Sequence, residues 1–213
     1  MDQALFHLIN ERWTHPALDL FMAAISDVEM WKPILILAGL CLLIFLGFKG
    51  RAFVVCLTLA LVLADYFLVG MLKTAIDRRR PKQVQQVRMV QLERTNPRFM
   101  TLFKRPTIRY SDDADRTKSG PSFPSGHVMD NVIIGTMFVL FFRRWGWLYF
   151  ILAAAIAWSR MYLGAHWPSD VAATAFLAVG EALLVVALAE MAWKKWGPRW
   201  APGLFERHPR LIQ

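Results

Sequence analysis

Long apolar runs, not an alternation of apolar and polar positions, dominate this chain, and their lengths set the first expectation. Residues 52–72, 128–142 with their flanks, 146–163 and 171–193 are each apolar over a length that reaches or approaches a bilayer crossing. A helical crossing takes about 20 residues, with a lower limit of about 17. Residues 33–48 are short alone but reach that length with Met30 and Trp31. The earlier stretch 16–28 is apolar but broken by Asp19, Ser26 and Asp27, so residues 16–31 are expected to form an amphipathic helix, interfacial or re-entrant. The pattern predicts an all-α polytopic membrane helix bundle, a single integral membrane domain over residues 1–213, with five transmembrane helices and six as the alternative. Residues 82–122 show no clear amphipathic period and are expected to form a long extramembrane loop, a length that in a compact domain is usually functional or disordered.

Composition agrees with this picture. A hydrophobic content of 56% over 213 residues is too high for an ordinary soluble domain. The formal net charge of +9 fits nucleic acid, an anionic lipid surface or an anionic substrate, but the apolar spans leave no soluble body to carry a nucleic-acid face. Cys41 and Cys56 both lie inside apolar stretches, where a thiol behaves as a small hydrophobe, and no disulfide is expected. The first residues lack a basic start, an apolar core and a cleavage site, so no removable signal peptide is expected.

Basic clusters at Lys49 and Arg51, at Arg143 and Arg144, and at Lys194, Lys195 and Arg199 fall on one face if the spans alternate in direction, and positive charge favours the cytoplasmic face. The opposite face then holds the segment from Lys73 to Ser122 with 13 Lys or Arg, which conflicts with a simple charge rule.

Three groups of residues carry candidate chemistry. In the first, Lys73 and Arg80 are seven apart and precede Pro81. On a continuing helix they would share a face about 10.5 Å apart and could reach one anion, with Pro81 as the stop; Asp77 between them could instead make an ion-pair ladder. In the second, Ser125, Gly126 and His127 precede an apolar span. A helix N-terminus entered through glycine is an anion site, while a capping serine beside an interfacial histidine is the plainer alternative. In the third, Gly164 suits a helix C-cap and Pro168 a first helical turn. His166 is then expected on a tight loop, with Asp170 one turn into the next helix and able to hold one imidazole nitrogen while the other attacks. Arg160, near the end of an apolar helix, is costly there without a partner, and Asp170 is the alternative one.

The five-span arrangement brings all three groups to one membrane face. Three cations, a helix N-terminus, two histidines and a carboxylate fit phosphoryl transfer. Metal binding is disfavoured by the absence of a His-x-x-x-His or cysteine pair and by the cations, which would repel a divalent ion. Asp65 and Asp130 lie inside spans without a role in these groups; pairing with arginine, hydrogen bonding between helices or a function of their own all remain open.

With these residues in place, the chain closely resembles the type 2 phosphatidic acid phosphatase superfamily, whose signature Lys-x6-Arg-Pro, Pro-Ser-Gly-His and Ser-Arg-x5-His-x3-Asp stands here at Lys73 to Pro81, Pro124 to His127 and Ser159 to Asp170. The resemblance implies that His166 attacks phosphorus with Asp170 orienting it, that His127 protonates the leaving oxygen, and that Lys73, Arg80, Ser125, Gly126 and Arg160 bind the phosphate oxygens. It implies no cofactor and no metal. It also implies a multi-pass protein of the bacterial cytoplasmic membrane, its site facing the periplasm or exterior, acting on an anionic phospholipid, a polyprenyl phosphate or a lipid A phosphate. Nothing in the pattern calls for an obligate protein partner. A phosphotransferase using the same intermediate and a non-catalytic lipid carrier are the alternatives; the intact pair His127 and His166 argues against the carrier.

Overall fold

The computed structural model describes residues 1–117 and 120–212. Lys118, one of the loop's cations, and the side chain of Arg144 lie outside the described residues.

A short N-terminal helix α1 (Asp2–His7) runs into a π-helical turn, Leu8–Arg12, and is followed by α2 (Pro16–Ile25) and α3 (Val28–Phe45). Residues 16–31 are thus not one helix: Ser26 and Asp27 form a turn, and the side of α2 that carries Asp19, Met22, Ala23 and Ala24 is buried. A buried ion pair joins that face to the rest of the protein, Arg88 Nη2 to Asp19 Oδ2 at 2.7 Å, and the Tyr162 hydroxyl donates to Asp19 Oδ1 at 2.6 Å. Helix α3 buries only Met30, which is what an apolar helix shows when its surroundings are lipid.

Helix α4 (Gly47–Leu63) continues through a π-helical turn, Ala64–Val69, into α5 (Gly70–Ile76). After a short α6 (Pro81–Val84), the long connection folds into two strands, β1 (Arg88–Gln91) and β2 (Thr107–Tyr110), paired antiparallel with Arg88 opposite Tyr110 and Gln91 opposite Thr107. A 3-10 helix, Arg98–Phe103, lies between them, and α7 (Asp113–Thr117) follows. The long connection over 82–122 thus carries structure of its own, a small hairpin, that its lack of a clear period did not announce.

The remaining helices are α8 (Gly126–Phe142), α9 (Trp147–Tyr162), α10 (Pro168–Trp200) and a terminal α11 (Pro202–Arg207). Helix α8 is the centre of the bundle: it packs against α4, α9 and α10 and buries Val128, Met129, Val132, Ile133, Met137 and Phe141. Among the described residues, three stretches are long and apolar enough to cross a membrane, Val28–Phe45, Gly47–Val84 and Pro168–Trp200. Helix α8, at 17 residues, is about 25 Å long, and α9 packs beside it. The protein is a helical membrane bundle.

The helices alternate in direction, so Lys49, Arg143 and Lys194 gather at one end. There Lys49 lies over the Phe142 ring and Phe48 packs on Trp193. The opposite end collects the Ser26–Asp27 turn, the end of α5, the start of α8, the α9–α10 turn and the β hairpin. Gly164 in the α9–α10 turn has φ +72°, and a Cβ there would lie 2.9 Å from Val87 Cγ2, so both conformation and space call for glycine. Inside the bundle, Glu181 on α10 keeps a buried carboxyl oxygen, Oε2, without a hydrogen-bond partner. Among the described residues neither Asp65 nor Asp130 pairs with an arginine, and Asp130 Oδ1 is buried without a hydrogen-bond partner.

Candidate active site

The first group departs from its expected geometry. Helix α5 ends at Ile76 because Asp77 adopts the left-handed conformation at φ 40°, which aspartate tolerates better than most residues. Lys73 therefore leaves from the last turn of α5 and Arg80 from extended backbone, not from one helix face. Pro81 opens α6 rather than ending a helix. Arg80 Nε donates to the Gly120 carbonyl at 2.8 Å and Nη1 to the Ala165 carbonyl at 3.4 Å, which sets its guanidinium beside the His166 loop. Among the described residues Asp77 makes no ion pair with Lys73 or Arg80, so the ladder is not formed. Lys73 reaches the group through its charge alone, repelled by Arg80 and attracted by Asp65.

The second group sits at the start of the central helix. Ser125 is the N-cap residue of α8 in extended conformation, but its hydroxyl caps nothing. Its Oγ is buried without a hydrogen-bond partner in the protein, a costly state for a hydroxyl unless something else binds it. The Ser125 backbone N–H donates to Thr174 Oγ1 at 3.1 Å, and Thr174 donates to the Asp170 carbonyl at 2.6 Å, which fixes the start of α8 against α10. A Cβ added at Gly126 would meet nothing within 4 Å, so the helix N-terminus is open on that side. His127 Nε2 lies 3.2 Å from the Ser26 carbonyl oxygen, an acceptor that places the ring proton on Nε2.

In the third group, Arg160 ends α9 with Nη1 donating to Ser26 Oγ at 3.0 Å, while Ser26 Oγ and Ser159 Oγ are 2.6 Å apart. Arg160 Nε is buried and unpartnered, a second orphaned donor beside that of Ser125. Arg160 does not pair with Asp170. His166 is 3% exposed, and its Nδ1 donates to the Ser122 carbonyl, which leaves Nε2 with the lone pair. Burial, then the charges of Arg80 and Arg160, hold the His166 imidazole well below its ordinary pKa. The ring is therefore neutral at pH 7.

Asp170 does not touch His166. Arg78 Nη1 donates to its Oδ1 at 2.6 Å, while the Ser122 hydroxyl and, at 3.4 Å, the Trp167 N–H donate to Oδ2. Ser122 stands between the two: its hydroxyl is held by Asp170, its N–H donates to the Arg78 carbonyl at 2.6 Å, and its own carbonyl orients His166. Arg78 is held in turn by Asp2, Nη2 to Oδ2 at 2.6 Å, and Asp2 also accepts from Ser169. Partners that orient a metal-ligating histidine change activity about 10- to 100-fold when removed, and Ser122 orients a nucleophilic histidine in the same manner. Ser122→Ala is expected to lower kcat within that range with little change in KM; unchanged kcat in the purified variant would show that Asp170 does not act through Ser122.

The structure thus brings His127, His166, Arg80 and Arg160 close enough for their charges to act on one another, with Ser125, Gly126 and Asp170 bound into the same end of the bundle and Lys73 at its edge. Sequence reasoning passed over Ser26, Arg78, Ser122 and Asp2. Ser26 is visible as the polar break after α2, but nothing local says that it turns into the site; Arg78 is one of three consecutive arginines, and only the fold selects it. What the arrangement offers is an anion pocket with one neutral nucleophilic nitrogen and a second imidazole able to handle a proton.

Comparison with known proteins gives a consistent result. The model of the PAP2 superfamily matches residues 52–194. The bacitracin transport permease protein BcrC of Bacillus licheniformis is 47% identical over 64 residues, 30% of this chain and 32% of that protein. The putative undecaprenyl-diphosphatase YbjG of Escherichia coli K12 is 48% identical over 50 residues, 23% of this chain and 25% of that protein. The matched stretch spans about a third of the first relative's length and a quarter of the second's. In fold, the chain is similar to the crystal structure of Aquifex aeolicus LpxE, with a TM-score of 0.61 and 24% identity over 87% of this chain and 94% of that one. It is also similar to a transmembrane PAP2-type phosphatidylglycerolphosphate phosphatase from Bacillus subtilis, with a TM-score of 0.56 and 19% identity over 89% of this chain and 86% of that one.

Proposed function

The chain belongs to the PAP2 superfamily, and from that premise and the site's geometry we propose that it is a membrane phosphatase that hydrolyses a lipid phosphate monoester or diphosphate through a phosphohistidine on His166. The observation that carries this reading is the state of His166: neutral, pinned at Nδ1 and left with a lone pair on Nε2, between Arg80 and Arg160.

His166 Nε2 attacks phosphorus and the bond to the leaving oxygen breaks, while His127, held as the imidazolium by the negative charge of the bound phosphate, delivers a proton to that oxygen and is left neutral. Water then attacks the phosphohistidine, His127 takes the proton from it, and the P–N bond breaks to free phosphate. Arg80, Arg160 and Lys73 balance the charge on the phosphoryl oxygens, and the Ser125 hydroxyl and the N–H groups at Gly126 supply directed donors. Asp170 acts on His166 through Ser122. These cations do the charge neutralisation that a divalent ion does in other phosphoryl-transfer sites, so activity in the presence of EDTA is expected. Residues 1–213 form one catalytic domain. The end bearing Lys49, Arg143 and Lys194 faces the cytoplasm of a bacterial cell, which places the site on the periplasmic or outer side.

The direct test is phosphate release by the purified protein, in chelator, from a panel of lipid monophosphates and diphosphates. Undecaprenyl diphosphate belongs on the panel because of the name carried by the Escherichia coli relative; phosphatidate, phosphatidylglycerophosphate and lipid A complete it. Release from at least one is expected, and none from any of them would reject the reading. The lowered pKa of His166 also has a sign. Because its proton leaves at lower pH than that of a free histidine, the nucleophile stays intact as pH falls through about 6.5. With substrate ionisation divided out, the acid limb of kcat/KM should therefore lie below that value; a half-loss at about 6.5 would contradict it.

A further inference from the structure

The segment between the two strands leaves an unusual amount of apolar surface uncovered. In its 3-10 helix, Phe99 is 56% and Phe103 78% exposed, and Met100 and Leu102 are also open, while Thr101 between them is fully buried. Thr101 Oγ1 donates to the Glu93 carbonyl at 2.9 Å, so the helix is held in one rotation and presents its apolar side outward by construction. Cations mark both ends: Arg98 opens the helix, and Lys104 and Arg105 follow it. Lys104 lies 3.5 Å from Glu93.

Two observations say what covers this surface. The 3-10 helix packs on α3, where Trp31, Ile34 and Leu35 are exposed as the outward face of a helix that meets lipid. On its other side, Leu102, Phe103 and Ile108 wall a cleft of about 570 Å³ against Leu20 of α2, with Lys104 and Arg105 at the same cleft. The apolar patch is therefore continuous with the membrane-facing surface of the bundle and is edged by positive charge, the composition that seats a segment at the level of lipid headgroups.

We infer that residues 98–105 dip into the bilayer surface beside the site, the aromatic and aliphatic side chains among the acyl chains and Lys104 and Arg105 against anionic headgroups. The segment is tied to the site: Arg98 is ion-paired with Asp27, and the adjacent Ser26 holds both His127 and Arg160. Seating of the segment thus steadies the turn that positions these two side chains, and it aligns the pocket with the depth at which a lipid phosphate lies.

The test needs no substrate. A spin label is placed at position 103 in a Phe103→Cys, Cys41→Ala, Cys56→Ala variant, reconstituted in nanodiscs of phosphatidylglycerol and phosphatidylcholine. Dissolved oxygen should relax it several-fold more than a water-soluble nickel complex, with the reverse order for a label at exposed Asp113. A label at 103 that responds to nickel as position 113 does overturns the inference, whatever the enzyme's activity. The charge arm uses Lys104→Glu with Arg105→Glu. In the same discs KM for a lipid phosphate should rise several-fold while hydrolysis of a water-soluble aryl phosphate stays unchanged; equal loss on both substrates, or no change on either, contradicts the headgroup contact.

Discussion

His166→Ala is expected to lower turnover by at least about 10⁴-fold, equivalent to about 5.5 kcal/mol of transition-state stabilisation. The side chain supplies the atom that forms the new bond, and no neighbouring group can take its place. Asp170 is enclosed by Arg78, Ser122 and Trp167, and His127 is turned toward Ser26. Among the described residues the imidazole makes one hydrogen bond, from Nδ1 to the Ser122 carbonyl, so its loss should leave the helices intact. A purified variant with an unchanged thermal midpoint and no phosphate release is the predicted pair of observations. Residual turnover within tenfold of the unsubstituted protein would remove His166 from the chemistry.

The second large effect belongs to His127→Ala, with a loss of about 10²- to 10⁴-fold, the range of general acid–base catalysis. Its diagnostic is dependence on the leaving group. A lipid alkoxide needs the proton as its bond to phosphorus breaks, whereas a nitrophenolate leaves without it, so the variant should be impaired far more on the lipid than on the aryl ester in the first step. Equal impairment on both would make His127 a binding group and not an acid. The hydrogen bond of Nε2 to Ser26 gives the mechanism a concrete requirement: the ring must release that carbonyl, or use Nδ1, when it serves the leaving oxygen.

Much of this was legible along the chain, and the unread parts share a physical cause. The apolar runs announced the bundle because a span's length is a local property. The turn around His166 was legible too: Gly164, expected as a C-cap, stands one residue past the C-cap Leu163 at positive φ, which glycine alone adopts freely, and Pro168 opens α10 as expected. The break at Asp77 was not, because aspartate tolerates positive φ without requiring it, so its presence in a helical run does not mark a stop. The hairpin escaped for a different reason: each strand has four residues, too few for a period of two to stand out from chance.

In the site, residue types were readable and partners were not. Asp170 was picked out by its place one turn after a loop histidine, with direct contact to the imidazole expected of it. That it is held by Arg78 and reaches His166 only through Ser122 depends on how the ends of α5, α8 and α10 meet, and no spacing within one segment encodes such a meeting. Ser26 is the clearest case. A serine in a polar break between two apolar stretches looks like a membrane-surface turn, yet its carbonyl and hydroxyl hold His127 and Arg160 from 101 and 134 positions away.

The most direct test of the account follows a labelled phosphoryl group onto the protein. Phosphorus-labelled aryl phosphate is mixed with the His127→Ala variant, where entry of the phosphoryl group is favoured over its hydrolysis, and the reaction is quenched in base, in which a phosphohistidine survives. Label on the peptide containing His166, lost on exposure to acid and absent from His166→Ala, is the predicted result. Turnover with no labelled protein, or label on any other residue, would contradict it.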